Sequence, residues 1–225
     1  ATLLIGDLQL AEGGAPAGCP VVPITNNIPD PTALAEVFAR DECFSFQEIF
    51  PGGFTPRFGG DVSDQSLVAG VRGEMNNGLR WDFCAGLGRN EADFFINNTV
   101  NASLGPATPT SFDPGAYTQF ERMLNLDFGF SPTDNTNIAF GAEHRLEEFQ
   151  ITVGQEESFA VGPLADQGFS AASNGFPGFS NIAGGKFDRE NFGVYVDGEW
   201  EPTDSLLLGA AVRYEDFADF GTTTN

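Results

Sequence analysis

The chain has 225 residues and a formal charge of -22, with only 10 basic residues, 28 glycines and 23 phenylalanines. This charge argues against nucleic acid as a partner, because neutralising phosphates requires clustered lysine and arginine. No stretch approaches the roughly 20 apolar residues of a membrane-spanning helix, so any membrane crossing must use strands. The chain opens at Ala1 without methionine or a basic segment before an apolar one. We therefore expect a piece of a longer protein rather than a secretory start.

The first predicted element is a short helix near residues 31–40, inside a long connection over about 11–60. The letters "DPTALAEVFAR" offer Asp30 or Thr32 as the N-cap and a proline near the start. These are the residue types that favour the beginning of a helix.

Two of the three cysteines, Cys19 and Cys43, lie on either side of this helix. In an oxidising exterior they can pair, and loop closure then contributes about 3 kcal/mol. The alternative is two unpaired thiols in a flexible loop. Cys84 is left over on a predicted strand, where it is interpreted as an inert small residue.

Further along, three segments alternate apolar and polar residues with a period of two and predict three β-hairpins. Tight turns at 75–78, 131–135 and 201–204 connect the strands of each hairpin. The main apolar positions are Leu67, Ala69, Val71, Leu79, Trp81 and Phe83, then Phe120, Leu124, Leu126, Phe128, Phe130, Ile138 and Phe140, then Phe192, Val194, Val196, Trp200, Leu206, Leu208 and Val212.

The lengths of the connections indicate what the apolar face contacts. The tight turns alternate with long connections at about 11–60, 100–117 and 155–189, so one end of the sheet carries all the long loops. This asymmetry is typical of an outer-membrane barrel with short periplasmic turns and long extracellular loops. The predicted fold is therefore all-β, an antiparallel meander of about seven strands forming part of a transmembrane β-barrel. A soluble sandwich shows the same alternation and stays open as an alternative.

Aromatic and charged residues on the apolar face bear on this choice. Trp81, Phe130 and Trp200 lie near tight turns, as an interfacial girdle would, although aromatics also favour strands in general. Arg122 and His144 share the apolar face, where a charge at mid-bilayer costs roughly 2 to 4 kcal/mol. Arg122 lies some 20 Å above its turn and can snorkel. His144 lies lower, which requires a neutral ring, a bulge or an error in the register.

The opposite face of the strands carries charges of both signs, which predicts a hydrated lumen wall. These residues are Glu121, Asp127, Glu143, Arg145, Asp197, Glu199, Arg213 and Glu215. We expect no enzyme, because no nucleophile, zinc, phosphate-loop or dinucleotide motif occurs. With His144 the only histidine, we also expect no metal site and no cofactor.

The connection at 155–189 is the best candidate for ligand contact, because loops on a rigid sheet carry function. Phe159, Phe169, Phe176 and Phe179 can stack on a sugar ring or an aromatic siderophore. They can equally pack against one another and hold the loop down.

Three segments resemble the β-barrel region of TonB-dependent outer-membrane receptors of Gram-negative bacteria. They are "NEADFFINNTVNASLGPATPTSFDPGAY" (90–117), "GPLADQGFSAASNGFPGFS" (162–180) and "VYVDGEWEPTDSLLLGAAVRYEDFADFGTTTN" (194–225). The resemblance implies a large barrel closed by a plug domain and energised by the TonB complex. It also implies a scarce small-molecule ligand such as a ferric siderophore, cobalamin or an oligosaccharide. Over residues 1–225 we expect only a partial barrel, with plug and TonB box absent.

The function expected from the sequence is therefore that of a segment of an outer-membrane active transport receptor. Its partners would be outer-membrane lipid, its own plug, the TonB complex and a small-molecule ligand. The alternative is a soluble, acidic, β-rich binding or structural domain whose apolar face meets a second sheet.

Overall fold

The computed structural model describes all 225 residues as twelve strands, two α-helices and four short 3-10 helices. The strands are β1 (Thr2–Leu3), β2 (Gly6–Asp7), β3 (Val22–Thr25), β4 (Ile28–Pro29), β5 (Cys43–Phe44), β6 (Arg57–Glu74), β7 (Arg80–Asn97), β8 (Ser111–Thr133), β9 (Thr136–Val153), β10 (Gly185–Thr203), β11 (Leu206–Phe217) and β12 (Gly221–Thr224). The helices are α1 (Leu8–Ala11) and α2 (Pro31–Phe38), and the 3-10 helices are Phe46–Glu48, Ala102–Ala107, Glu156–Ser158 and Ala165–Gln167. None of the helices is both long enough and apolar enough to cross a membrane.

Strands β6 to β12 form one seven-stranded meander, in which each strand pairs with its neighbours in the chain. Consecutive strands joined by short turns must run antiparallel, since parallel pairs need long crossovers. The sheet is open, with β6 and β12 at its edges. This confirms the predicted all-β antiparallel meander of about seven strands, as expected of part of a barrel.

Two of the three tight turns are shorter than the sequence predicted. Strand β8 continues to Thr133 and β10 to Thr203, so the turns hold only two residues each and the prolines Pro132 and Pro202 belong to strands. Proline is tolerated where the ladder needs no donor, at strand ends and bulges. The register of β10 with β11 shifts between Trp200 and Thr203, which places Pro202 at such an irregularity.

The long connections are also shorter than predicted, because the strands extend further. Strand β8 begins at Ser111 rather than after 117, and β10 begins at Gly185 rather than after 189. Near the start of β8, the amide of Gln155 donates to the carbonyl of Asp113 at 2.8 Å, and the Gln155 side chain accepts from the Asp113 amide at 3.0 Å. These bonds hold the chain extended at Asp113, next to Pro114.

The predicted 11–60 loop contains several short elements, two of which, β3 and β5, pair with the preceding strands β1 and β2. Helix α2 begins after Asp30, whose carboxylate accepts from the amides of Thr32 and Ala33 at 3.0 and 2.9 Å. Strands β1, β3 and β4 form a small sheet, and β2 pairs with β5. Strand β6 then starts at Arg57.

The chain divides into two compact units. The first, named the loop unit, consists of Ala1–Asp61, Asp93–Ala116 and Ile151–Gly185. The second, named the strand unit, consists of Val62–Ala92, Tyr117–Gln150 and Lys186–Asn225.

The loop unit has its own hydrophobic core, made of two clusters. In one, Val22 and Val37 are fully buried beside Cys43. In the other, Phe44 and Leu164 pack with Phe169. Residues far apart in sequence thus share one core, so the connections of the loop unit are folded structure rather than loose tethers.

Candidate functional site

The apolar face of β10 and β11 is uncovered. The register pairs Val194 with Tyr214 and Val196 with Val212. Val196 and Val212 are about half exposed, at 50% and 54%. No second layer of protein lies over these side chains, although the soluble alternative requires one. Their exposure fits contact with hydrocarbon instead.

Aromatic residues lie at both edges of this apolar face. Trp200 lies next to the β10–β11 turn, and Phe192 lies eight residues further along the same face of β10. For a strand tilted by about 40°, eight residues span about 20 Å along the barrel axis. An outer-membrane barrel has an apolar band about 25 Å tall between two aromatic girdles. The spacing of Trp200 and Phe192 therefore matches the two edges of such a band.

The opposite face carries an ion-pair network. Glu143 accepts from Arg145 at 3.1 Å and from Arg213 at 3.5 Å, and Arg213 also donates to Glu215 at 2.9 Å. Glu143 lies on β9 and Arg213 on β11, so this contact crosses β10. It passes over Gly193, where an added Cβ would lie 2.9 Å from the Arg213 guanidinium.

A second polar contact crosses the sheet in the same way. The Tyr195 hydroxyl on β10 donates to the Asp127 carboxylate on β8 at 2.7 Å. Between them lies Gly141 of β9, where a Cβ would come within 2.6 Å of that carboxylate and 2.7 Å of the Tyr195 ring. Glycine at these two positions leaves room for polar side chains to meet over an intervening strand.

The network includes four of the eight residues expected on the lumen wall, and Tyr195 contacts a fifth, Asp127. Glu121, Asp197 and Glu199 form no salt bridge, and Glu199 is exposed. The assignment of all eight to a lumen remains a prediction. Charges paired across strands are consistent with a hydrated wall, since a buried or lipid-facing set would be costly.

Near the other end of β10, basic side chains pair with acids on β9. Arg189 donates to Glu147 from Nε and Nη2, at 3.1 and 2.6 Å. Arg189 lies fourteen positions from Thr203 at the end of β10. This places it about 35 Å above the turn and beyond the apolar band. The hydrogen bond and the charge of Glu147 raise the pKa of Arg189.

The loop unit holds an aromatic cluster, defined as Phe58, Phe94, Phe176 and Phe179. Phe58 stacks on Phe176 with ring centroids 4.3 Å apart and on Phe94 at 5.6 Å. Phe179 meets Phe176 edge-on at 5.7 Å and Phe94 at 6.1 Å. The Phe58 side chain is 49% exposed, so the cluster presents an aromatic surface.

The structure brings together only two of the four predicted loop aromatics, Phe176 and Phe179. Phe169 is 7% exposed and packs in the core with Phe44 and Leu164, and Phe159 lies half-buried outside the cluster. Sequence reasoning missed Phe58 and Phe94. Both lie in strands, Phe58 in β6 and Phe94 in β7.

Buried hydrogen bonds hold the connections of the loop unit together. The fully buried Asn101 donates from Nδ2 to the carbonyls of Glu157 and Ala160, both at 2.9 Å. Its Oδ1 accepts from the Ser103 hydroxyl at 2.7 Å, and that hydroxyl accepts from the Gly162 amide at 2.8 Å. One asparagine thus joins the connection after β7 to the connection after β9.

The structure also shows the partners of the cysteines and of the single histidine. A disulfide joins Cys19 and Cys43, and Cys84 is a half-buried free thiol. The Nε2 atom of His144 lies 2.6 Å from a carboxylate oxygen of Glu190, so the ring that the sequence left unexplained has a partner. No group of three or more histidine, cysteine or acidic side chains is arranged to hold a metal ion.

An open antiparallel meander with an exposed apolar face, aromatic edges and paired charges behind it defines a segment of an outer-membrane β-barrel. The family model described as TonB dependent receptor-like, beta-barrel, matches residues 31–225. The chain therefore belongs to the TonB-dependent receptor β-barrel family, as the resemblance predicted. Its members are transport receptors of the outer membrane rather than enzymes. No curated protein matches the chain.

Proposed function

We propose that this protein takes up a scarce small-molecule ligand across the outer membrane of a Gram-negative bacterium, driven by the TonB complex. The chain supplies part of the barrel wall, and a plug domain closes the lumen. Ligands of the proposed kind are iron siderophores, cobalamin and oligosaccharides. The observation that carries the proposal is that one chain has both an apolar face of the type that contacts lipid and a folded loop unit that exposes aromatic rings.

The charge of the loop unit indicates which class of ligand the protein binds. Arg40 and Arg57 are its only basic side chains, and acids outnumber them. An anionic chelate would find few cations to pair with and would be repelled by the acids. We therefore favour a neutral ligand that presents a ring to the aromatic cluster, where stacking and apolar contact supply affinity.

The cluster is the proposed point of contact, with Phe58 as its accessible member. Replacing Phe58 with alanine removes the exposed ring and uncovers Phe176. We expect weaker uptake at low ligand concentration, by about fivefold to tenfold, as a contribution of about 1 to 1.5 kcal/mol implies. Ile182→Ala is the matched control, because Ile182 lies in the same unit and is 97% exposed.

The experiment is an uptake assay in cells in which this receptor is the sole route. Radiolabelled ferric chelates of neutral and anionic type, cobalamin and neutral oligosaccharides are compared with and without TonB. TonB-dependent uptake of one ligand supports the proposal. Accumulation that is identical without TonB, or absent for every ligand, contradicts it. Selective uptake of an anionic chelate contradicts only the preference for a neutral ligand.

A further inference from the structure

A groove of about 420 Å³ runs over the strand unit. This volume lies within the range of sites that hold a small molecule. Its apolar lining includes Leu67, Ala69, Ala85, Leu87, Leu124 and Leu146.

The groove lies on the lipid-type face because its leucines share the apolar parity of their strands. Leu67 is 65% exposed, and Leu87 and Leu124 are 45% exposed. Its depth comes from the small side chains of Ala69 and Ala85 between these larger neighbours. In a bilayer, an acyl chain would fill this groove, since burying methylene groups against leucine is favourable.

Arg122 and His144 also line the groove, and Arg122 marks its upper level. It lies eight residues along β8 from Phe130, which places it about 20 Å above the level of Phe130, near the top of a band about 25 Å tall that begins at that aromatic residue. The long loops of such barrels are extracellular. Arg122 therefore lies at the headgroup level of the outer leaflet.

Three acids of the strand unit contact residues other than Arg122. Glu91 lies 2.8 Å from Arg89, Glu148 lies 2.8 Å from Lys186, and Glu190 lies 2.6 Å from Nε2 of His144. The Arg122 guanidinium forms no ion pair, and it lies over the Phe120 ring, 5.1 Å from its centroid. A cation held at the headgroup level without a protein anion is complementary to a phosphate.

We propose that this groove binds a phosphate-bearing lipid of the outer leaflet, with an acyl chain over Ala69 and Ala85 and the phosphate on Arg122. The guanidinium supplies two parallel donors to phosphate oxygens. The ring of Phe120 holds the Arg122 side chain toward the apolar face. This site is distinct from ligand uptake and does not depend on which ligand the receptor carries.

The test is native mass spectrometry of the delipidated receptor in a neutral detergent. It is titrated with phosphatidylglycerol and with a diacylglycerol of the same chains, which lacks the phosphate. The wild type should retain phosphatidylglycerol more strongly. Arg122→Gln should weaken its binding about tenfold and leave diacylglycerol unchanged, as the loss of a charge-assisted bond implies.

Two further variants separate the parts of the site. Lys186→Gln is the matched control, because Lys186 is a basic residue of the same unit that is already paired with Glu148. It should bind both lipids as the wild type does. Ala85→Phe fills the groove and should weaken both lipids, with circular dichroism verifying that each variant is folded.

Several results would overturn the proposal. One is equal affinity of Arg122→Gln and the wild type for phosphatidylglycerol, and another is equal retention of the two lipids by the wild type. Competition by inorganic phosphate alone, with no effect of Ala85→Phe, would show an anion site without a lipid. An equal loss in Lys186→Gln would show a general charge effect.

Discussion

Placing an arginine at the centre of the apolar face should destabilise the folded receptor in a bilayer. Val212 is the best position, because it pairs with Val196, which lies midway between Trp200 and Phe192 on the same face. An arginine at the midplane of a barrel's lipid face costs about 2 to 4 kcal/mol. We expect the free energy of unfolding of Val212→Arg to fall by that amount.

The matched control is Ala211→Arg, one residue away on the opposite face. Ala211 pairs with Asp197, so the new cation would meet an anion on the polar side of the sheet. We expect a change below about 1 kcal/mol, as for exposed ion pairs. Leu208→Arg tests depth, since Leu208 pairs with Trp200 at the edge of the band, where the cost falls to about 0 to 1 kcal/mol.

The measurement is denaturant unfolding of the receptor in lipid vesicles, followed by tryptophan fluorescence. Val212→Met serves as a neutral control for side-chain size. If Val212→Arg and Ala211→Arg lose equal stability, or if Val212→Arg loses none, the apolar face does not contact hydrocarbon. The reasoning that assigns this sheet to a membrane would then be wrong.

Two further predictions concern the interior of each unit. Asn101→Leu removes three buried hydrogen bonds, to Glu157, Ala160 and Ser103, and should cost about 2 to 5 kcal/mol of local stability. The loss should be visible as faster hydrogen exchange in residues 98–110 and 154–184; unchanged exchange rates would argue against the network. Gly141→Ala should destabilise by about 1 to 3 kcal/mol because its Cβ meets Asp127, whereas the control Gly198→Ala faces open space and should not; equal melting temperatures for the two would contradict the crossing contact.

The strands could be predicted because a strand's two faces follow from a local period of two. Val196 and Val212 share the apolar parity of their strands, pair with each other and are exposed on one face of the sheet. The turns were predicted less well. Proline suggested chain breaks at Pro132 and Pro202, but both belong to strands. Pro202 lies at a register shift and Pro132 lies one residue from the end of β8, where proline is tolerated.

The pairing of charges could not be predicted from parity alone. Parity placed Glu143 and Arg213 on the same face, which the structure bears out through their contact. That they meet across a strand depends on the register of three strands and on the missing side chain at Gly193. Register between strands joined by long connections is a property of the whole sheet rather than of any one segment.

The loop unit was the least predictable part, because its contacts join distant residues. Phe44 packs against Leu164, and Asn101 binds the carbonyls of Glu157 and Ala160. No local period marks such residues. The phenylalanines of this unit were equally hard to assign. In a glycine-rich stretch, the sequence around a buried phenylalanine such as Phe169 does not differ from the sequence around one in a surface cluster.

The fixed structure of the loop unit bears directly on how a ligand would bind. Ordering a flexible loop at an interface costs about 0.5 to 1.5 kcal/mol for each immobilised side chain. In this unit, Asn101, Ser103 and the core around Leu164 already fix the connection that carries Phe176. Phe176 is thereby held against Phe58 before any ligand arrives. A ligand that stacks on Phe58 would then retain most of its contact energy as affinity, which suits a receptor for a scarce compound.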